Sequence, residues 1–305
     1  MNPYLKQVDP NNEDPFVAIG KYRTSRQAHE AGLAVLAAGR PYWIHQDEDY
    51  FVLVVDRRHA DVLRQEVRIA DIKNRYWPPP SVDLPTKTTS KLPTVLFGLI
   101  LVVVFNAQGR YPSLTEIGMN SSEGINQSGE FWRIITAITL HGDLGHLAGN
   151  LLGIGLFTYL SARYLGIGFA WALIIAVSAA SNLTNAVVQA GDPYISLGAS
   201  TAVFAALGLL TGFPVGMYLR SKEPLQTRDW LVPLSGGCLL FAWMGGGEFP
   251  TDVAAHFWSF VYGSLASAMV ATLSLHAKIS PTGQKGMLLA AWGAILGSWI
   301  VALLA

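Results

Sequence analysis

The sequence predicts an α-helical polytopic membrane protein preceded by a small α+β cytoplasmic domain. Three observations predict it. Of the 305 residues, 51% are hydrophobic and only 14% are charged, and mean hydropathy is +0.33, whereas a soluble domain carries roughly 25% charged residues. Most charges fall before residue 92. After Lys91 the chain becomes a series of seven apolar segments, the first followed by a long stretch at 108–143 and the others separated by short polar stretches.

The organisation expected is a soluble α+β domain at 1–76, a proline-rich linker at 77–91 and a transmembrane domain at 92–305. Met1 to Glu13 is polar, without the apolar core of a cleavable signal. Within residues 16–74, Phe16–Tyr22 reads as a strand. Thr24 and Gln27 have the spacing of a capping box that opens a helix, and Gly39 with Pro41 closes it. Tyr42–His45 and Tyr50–Val55 read as a hairpin around the polar turn Gln46–Asp49. Asp56 caps a second helix with Ala60, Leu63, Val67 and Ala70 on one face. Strand, helix, strand, strand, helix is the order of a split βαβ module. Its histidines, His29, His45 and His59, are scattered and form no catalytic cluster, and nothing in it specifies a partner. The linker carries Trp77, Pro78–Pro80 and Pro85, and consecutive prolines favour an extended spacer.

The apolar segments run Leu92–Ala107, Leu144–Leu160, Ile167–Val188, Ala199–Tyr218, Trp230–Met244, Val253–Leu275 and Met287–Leu304. A spanning helix needs about 20 residues. Loop charges fix their direction. Arg163 follows the second segment, Arg220, Lys222 and Arg228 follow the fourth, and Lys278 and Lys285 follow the sixth, whereas Gln189–Gly198 and Gly245–Asp252 have no Lys or Arg. Positive loops stay inside, so residues 1–91 are expected in the cytoplasm and the C-terminal end outside, most simply in a bacterial inner membrane. The lipid bilayer is thus one partner. A formal net charge of zero argues against nucleic acid. The single cysteine, Cys238, excludes an intrachain disulfide and reads as a small buried hydrophobe.

Four polar residues stand out against this apolar background. His146 and Asn150 are one helical turn apart and share a face. Ser200 opens the fourth segment and His256 lies a few residues into the sixth. The topology brings all four to a similar depth near the outer surface. Intramembrane ionisable residues are rare and usually functional. Small residues accompany two of them, Thr201, Ala205, Gly208 and Gly212 beside Ser200, and Ala255, Ser259, Gly263 and Ser267 beside His256. Small faces let membrane helices approach closely, as a serine-histidine hydrogen bond requires. A serine hydroxyl is a weak nucleophile until a neighbouring imidazole takes its proton, and the oxyanion that follows needs donors aimed at it. His146, Asn150 and the backbone N–H of Ser200 are the candidate donors. Asp252, four residues before His256, is expected at the surface, which leaves a dyad. Taken singly, each of the four also reads as a packing, capping or interhelical bonding residue. His141, His146 and His256 offer an alternative metal set, but no His-Glu-x-x-His pattern or nearby acidic ligand accompanies them, so neither metal nor cofactor is expected. Ser181, Asn185 and Gln189 form a polar stripe that fits either trapped water or interhelical hydrogen bonds.

These residues resemble the rhomboid intramembrane serine proteases. Trp132-Arg133, then His141, His146 and Asn150, look like the family's first-loop Trp-Arg element and its His-x4-His-x3-Asn pattern. Gly198-Ala199-Ser200-Thr201 looks like its Gly-x-Ser-Gly motif, with Thr201 in place of the second glycine. Ala255-His256 with Gly263 looks like its Ala-His-x2-Gly-x3-Gly motif, with Ser259 in place of the first glycine. The similarity covers residues 92–275. It implies a six-helix core with a seventh helix added. It also implies Ser200 as nucleophile, His256 as general base, and His146 and Asn150 at the oxyanion. Phe204 would stand against the catalytic histidine, and Trp132 and Arg133 would be structural elements of the first loop. Substrates would be transmembrane proteins cleaved in or near their spans. Two other classes compete: a catalytically weak or inactive rhomboid-like protein that binds membrane clients, and a small-solute transporter, for which no internal repeat is visible.

Overall fold

A computed structural model describes residues 15–74, 84–223, 226–245 and 252–305. The chain divides into two compact units, Met1–Pro80 and Ser81–Ala305.

In the first unit, β1 (Phe16–Tyr22), α1 (Ser25–Ala37), β2 (Trp43–Asp47), β3 (Tyr50–Asp56) and α2 (Ala60–Asn74) follow in order. The sheet order is β1-β3-β2 with both pairs antiparallel. β1 and β2 therefore run parallel with β3 inserted between them, the split βαβ arrangement. The Thr24 hydroxyl accepts from Gln27 N at 3.3 Å and starts α1. Gly39, at φ 73°, follows its end. Val35, Leu53, Val55, Leu63 and Val67 form the core. Ala70, expected on the same face, is half-buried.

In the second unit, Leu84–Ser90 has no regular structure, and the run Trp77–Pro80 lies outside the described residues. Helix α3 (Leu92–Arg110) follows. The long loop after it then folds into α4 (Ser113–Gly118), β4 (Asn120–Ser121), α5 (Ser122–Asn126) and α6 (Arg133–Thr136). Trp132 and Arg133 hold this loop from within. The Trp132 indole donates to Ile117 O at 3.0 Å, and Arg133 reaches Glu130, Glu116 O and Met119 O at 2.5, 2.7 and 3.0 Å.

The second apolar segment is helical from Leu144 to Leu165, as α7 (Leu144–Gly153), one π turn (Ile154–Thr158) and α8 (Tyr159–Leu165). After it come α9 (Ile167–Val188), β5 (Ile195–Ser196), α10 (Ser200–Ser221), α11 (Thr227–Gly245), α12 (Val253–Thr272), α13 (Leu275–Lys278) and α14 (Pro281–Leu304). Among the described residues, α3, α9, α10, α12 and α14 are each long and apolar enough to cross a membrane.

Helix α10 is the axis of the unit, and Ser200 through Leu210 is buried at every position. It packs closely on α12 through the two small-residue faces. A Cβ built on Gly263 would stand 2.5 Å from Ala205 O, and one on Gly212 would overlap the Ser264 carbonyl. Only glycine permits that approach. A two-stranded ladder, Asn120↔Ser196 and Ser121↔Ile195, joins the loop after α3 to the segment that leads into α10.

Candidate active site

The approach to Ser200 is built from glycine and hydrogen-bonded backbone. Gly198 sits at φ 136°, a region that side chains rarely adopt. Its N–H donates to Ala137 O at 2.9 Å. A Cβ on Gly198 would lie 2.6 Å from the His146 ring and 3.5 Å from Ser200 Oγ, so the imidazole lies directly over the glycine beside the serine. Ala199 N–H points at His141 Nε2, 3.5 Å away. His141 and His146 pack edge to face with ring centroids 5.2 Å apart. Burial, and then the neighbouring His146, push the His141 imidazole down to about 3, so it is neutral at pH 7. Its Nε2 accepts the Ala199 bond only with the proton on Nδ1.

Ser200 is the first residue of α10 and His256 lies in the first turn of α12. Their N-terminal ends meet, and Ser200 Oγ is 2.6 Å from His256 Nε2. Both residues are buried, at 5% and 2% exposure. Phe204, one turn after Ser200, stacks on the His256 ring at 4.7 Å and 19°. It fixes the ring plane while leaving Nε2 toward the serine.

Asn150 lies one turn beyond His146 on α7 and is 5% exposed. Asp143 caps α7 through His146 N at 2.8 Å. Gly153, three residues past Asn150, faces Val203, three residues past Ser200, closely enough that a Cβ on it would stand 2.7 Å from Val203 Cγ1. The His146–Asn150–Gly153 face is therefore the one turned to α10. The Asn150 amide nitrogen is buried with no hydrogen-bond partner among the described residues. Ser200, His256 and His146 thus lie together where α7, α10 and α12 begin, and Asn150 is one turn further along the α7 face turned to α10. Among the described residues, no three His, Cys, Asp or Glu side chains lie close enough to hold a metal ion.

Asp252 departs from the surface position expected for it. It is half-buried and caps α12 through Ala255 N at 2.9 Å. Its carboxylate also takes bonds from Asn185 Nδ2 at 2.8 and 3.0 Å and from the Tyr194 hydroxyl. It does not reach His256 Nδ1, which has no hydrogen-bond partner among the described residues. Ser181 donates to Ala255 O at 2.6 Å, so Ser181 and Asn185 bond between helices, the second of the two readings of their stripe. Cys238 is exposed, not buried as its apolar context suggested, because α11 turns that face outward.

Residues 128–273 match the family model of the Rhomboid domain. The chain carries a Rhomboid domain. The match starts later than the sequence resemblance suggested, within the loop between α3 and α7, and takes in every residue of the site. Rhomboid protease GluP of Bacillus subtilis (strain 168) is 29% identical over 126 residues, which cover 41% of this chain and 24% of that protein. RHOMBOID-like protein 5 of Arabidopsis thaliana is 27% identical over 161 residues, 50% of this chain and 48% of that protein. The matches thus span a quarter to a half of those relatives. With the rhomboid domain and five membrane-competent helices, the chain is an integral membrane protein.

Proposed function

We propose that this rhomboid domain is an intramembrane serine endopeptidase that cleaves peptide bonds in or near the transmembrane segments of other membrane proteins. The observation that carries this reading is the 2.6 Å contact between Ser200 Oγ and His256 Nε2 on two different helices. His256 Nε2 takes the hydroxyl proton as Oγ bonds to the substrate carbonyl carbon. The carbonyl oxygen becomes an oxyanion, for which His146, the Asn150 amide and the Ser200 backbone N–H are the donors. The C–N bond then breaks, the leaving amine takes the proton from His256, and the acyl group stays on Ser200. Water, deprotonated by the same imidazole, releases it. With no carboxylate on His256 Nδ1 among the described residues, stacking on Phe204 orients the ring, and the pair works as a dyad.

The loop charges support residues 1–91 on the cytoplasmic side and the N-terminal ends of α7, α10 and α12 near the outer surface of a bacterial inner membrane. Substrate helices that unwind near that surface reach the dyad most readily. The test is cleavage of a helix-destabilised transmembrane substrate by purified protein in detergent. The parent cleaves, and Ser200→Ala and His256→Ala do not. Asn150→Ala lowers kcat by about 10²-fold. Equal cleavage by parent and both dyad variants would assign the activity elsewhere. No cleavage by well-folded parent across many substrates would favour a client-binding role instead.

A further inference from the structure

The mechanism leaves Asp252 unused, although its surroundings exceed what a helix cap requires. One carboxylate oxygen suffices for the cap, and Oδ1 fills that role on Ala255 N. Oδ2 faces the Tyr194 hydroxyl and Asn185 Nδ2. Asn185 Nδ2 also lies 2.6 Å from the Tyr194 oxygen, so the three groups close a ring. Tyr194 belongs to the segment that delivers Ser200. Its hydroxyl contacts Ser196 Oγ at 2.7 Å, four residues before the serine. Its backbone is clamped on Ser122, with N–H to Ser122 Oγ at 3.1 Å and C=O to Ser122 N at 3.0 Å. Asp252 lies four residues before His256, and His256 N donates to Asp252 O at 3.2 Å. The ring therefore ties the approach to Ser200 and the first turn of His256 to one buried anchor on α9.

We infer that Asp252 is a positioning residue for the reaction: with Tyr194 and Asn185 it clips the segment bearing Ser200 to the helix bearing His256 and sets the gap between hydroxyl and imidazole. This rests on the reading of Ser200 and His256 as a catalytic dyad. Burial raises the Asp252 carboxyl above its ordinary value of 3.8, so holding the ion there opposes its solvation rather than favouring the fold. Asp252→Asn keeps the cap oxygen and removes the buried charge, but it presents an amide N–H to the Asn185 donor and breaks the ring. Stability and reactivity should then separate.

The experiment uses the full chain in detergent micelles, with a fluorophosphonate as the probe for Ser200. The inactivation rate constant, probe affinity and unfolding midpoint are measured for parent, Asp252→Asn, Tyr194→Phe and the double variant. Asp252→Asn should lower the inactivation rate constant by about 10- to 100-fold, because small displacements of reacting groups are costly. Probe affinity and midpoint should stay at the parent values. Tyr194→Phe should lose less, and the double variant should be no slower than Asp252→Asn, since both act on one ring. A rate within about twofold of the parent, a rate loss matched by a falling midpoint, or additive losses would each overturn the clip while leaving the dyad intact. A folded parent that never labels at Ser200 would instead sink the dyad reading, and the clip with it.

Discussion

Helices α3 and α10 are almost equally apolar, yet over their most apolar 18 residues 22% of the first and 72% of the second is buried. Hydropathy therefore marks which segments enter the bilayer and does not say where in the bundle they stand. Side-chain size makes the difference. Along α3 the outward side chains are large, among them Val95, Leu99 and Val103. Along α10 the row Ala205, Gly208, Gly212 and Gly216 leaves no bulk between its backbone and α12. Lipid is as apolar as leucine, so large side chains gain little by leaving it, whereas small ones gain packing and interhelical contacts. A serine-histidine bond between helices depends on that closeness, and here the site stands at the end of the pair whose interface is built from the smallest residues.

The sharpest way to break this comparison is to put bulk into the small-residue pair. Gly212→Leu places a side chain where even a Cβ overlaps the Ser264 carbonyl. The two helices must separate, at a cost of about 3 kcal/mol or more. The unfolding midpoint in detergent should fall steeply and Ser200 should lose its reactivity. A Gly212→Leu protein with the parent's midpoint would mean that α10 and α12 do not need their closeness.

Acid attacks the same region by another route. His141 lies just before α7 and is held neutral, at about 3 against the ordinary 6.5, first by burial and then by His146. His276, in α13, is lowered too, mainly by burial and next by Lys87. A depressed histidine stabilises the fold fully above its unfolded value, and that contribution is lost as pH falls toward the folded value. Asp252 is shifted the opposite way, but it titrates at the acid end, from its ordinary 3.8 upward. The unfolding midpoint should therefore drop as pH goes from about 7.5 to about 5. His141→Gln should flatten that dependence, and an unchanged slope would show that His141 is not the group being forced to charge.

The long helices were legible in the sequence, and so was the pairing of Ser200 with His256, because polar groups in an apolar run stand out. Other features had no local signal. The turn of π helix at Ile154–Thr158 occupies an apolar run whose residues read equally well as plain α. The seventh helix starts at Pro281, not Met287, since Gln284 and Lys285 interrupt the apolar pattern. Gln284 is in fact inside the structure, donating to Leu165 O at 3.0 Å and accepting from Phe169 N at 2.9 Å, and Ser280 with Pro281 is the start signal. Asp252 read as a surface residue because the hydroxyl and amide that hold it are 58 and 67 positions away. Partners at that separation are created by the fold and leave no mark on the neighbouring sequence.

Helix α14 is a milder probe of the comparison, since it joins the site region through one bond. The Trp299 indole donates to Thr139 Oγ1 at 3.0 Å, two residues before His141. Trp299→Phe keeps an aromatic ring against Gly118 and removes that donor. The expected loss is about 1 kcal/mol in the unfolding free energy, with a modest slowing of Ser200 labelling. A loss as large as that of Gly212→Leu would place α14 on a level with the central pair.

The smallest effect belongs to α3. Leu99 is 56% exposed on the face turned away from the unit, so its side chain meets lipid rather than protein. Removing it leaves no internal cavity, the usual source of a large penalty for truncating leucine. Leu99→Ala should shift the unfolding free energy by no more than about 0.5 kcal/mol, the range of substitutions away from packed features, and Ser200 should react at the parent rate. Leu99 and Gly212 sit in segments of almost the same hydropathy, so the contrast between them isolates packing from polarity. If Leu99→Ala destabilised as much as Gly212→Leu, the outward face of α3 would have to be packed against something other than lipid, and side-chain size would no longer explain which helix holds the centre.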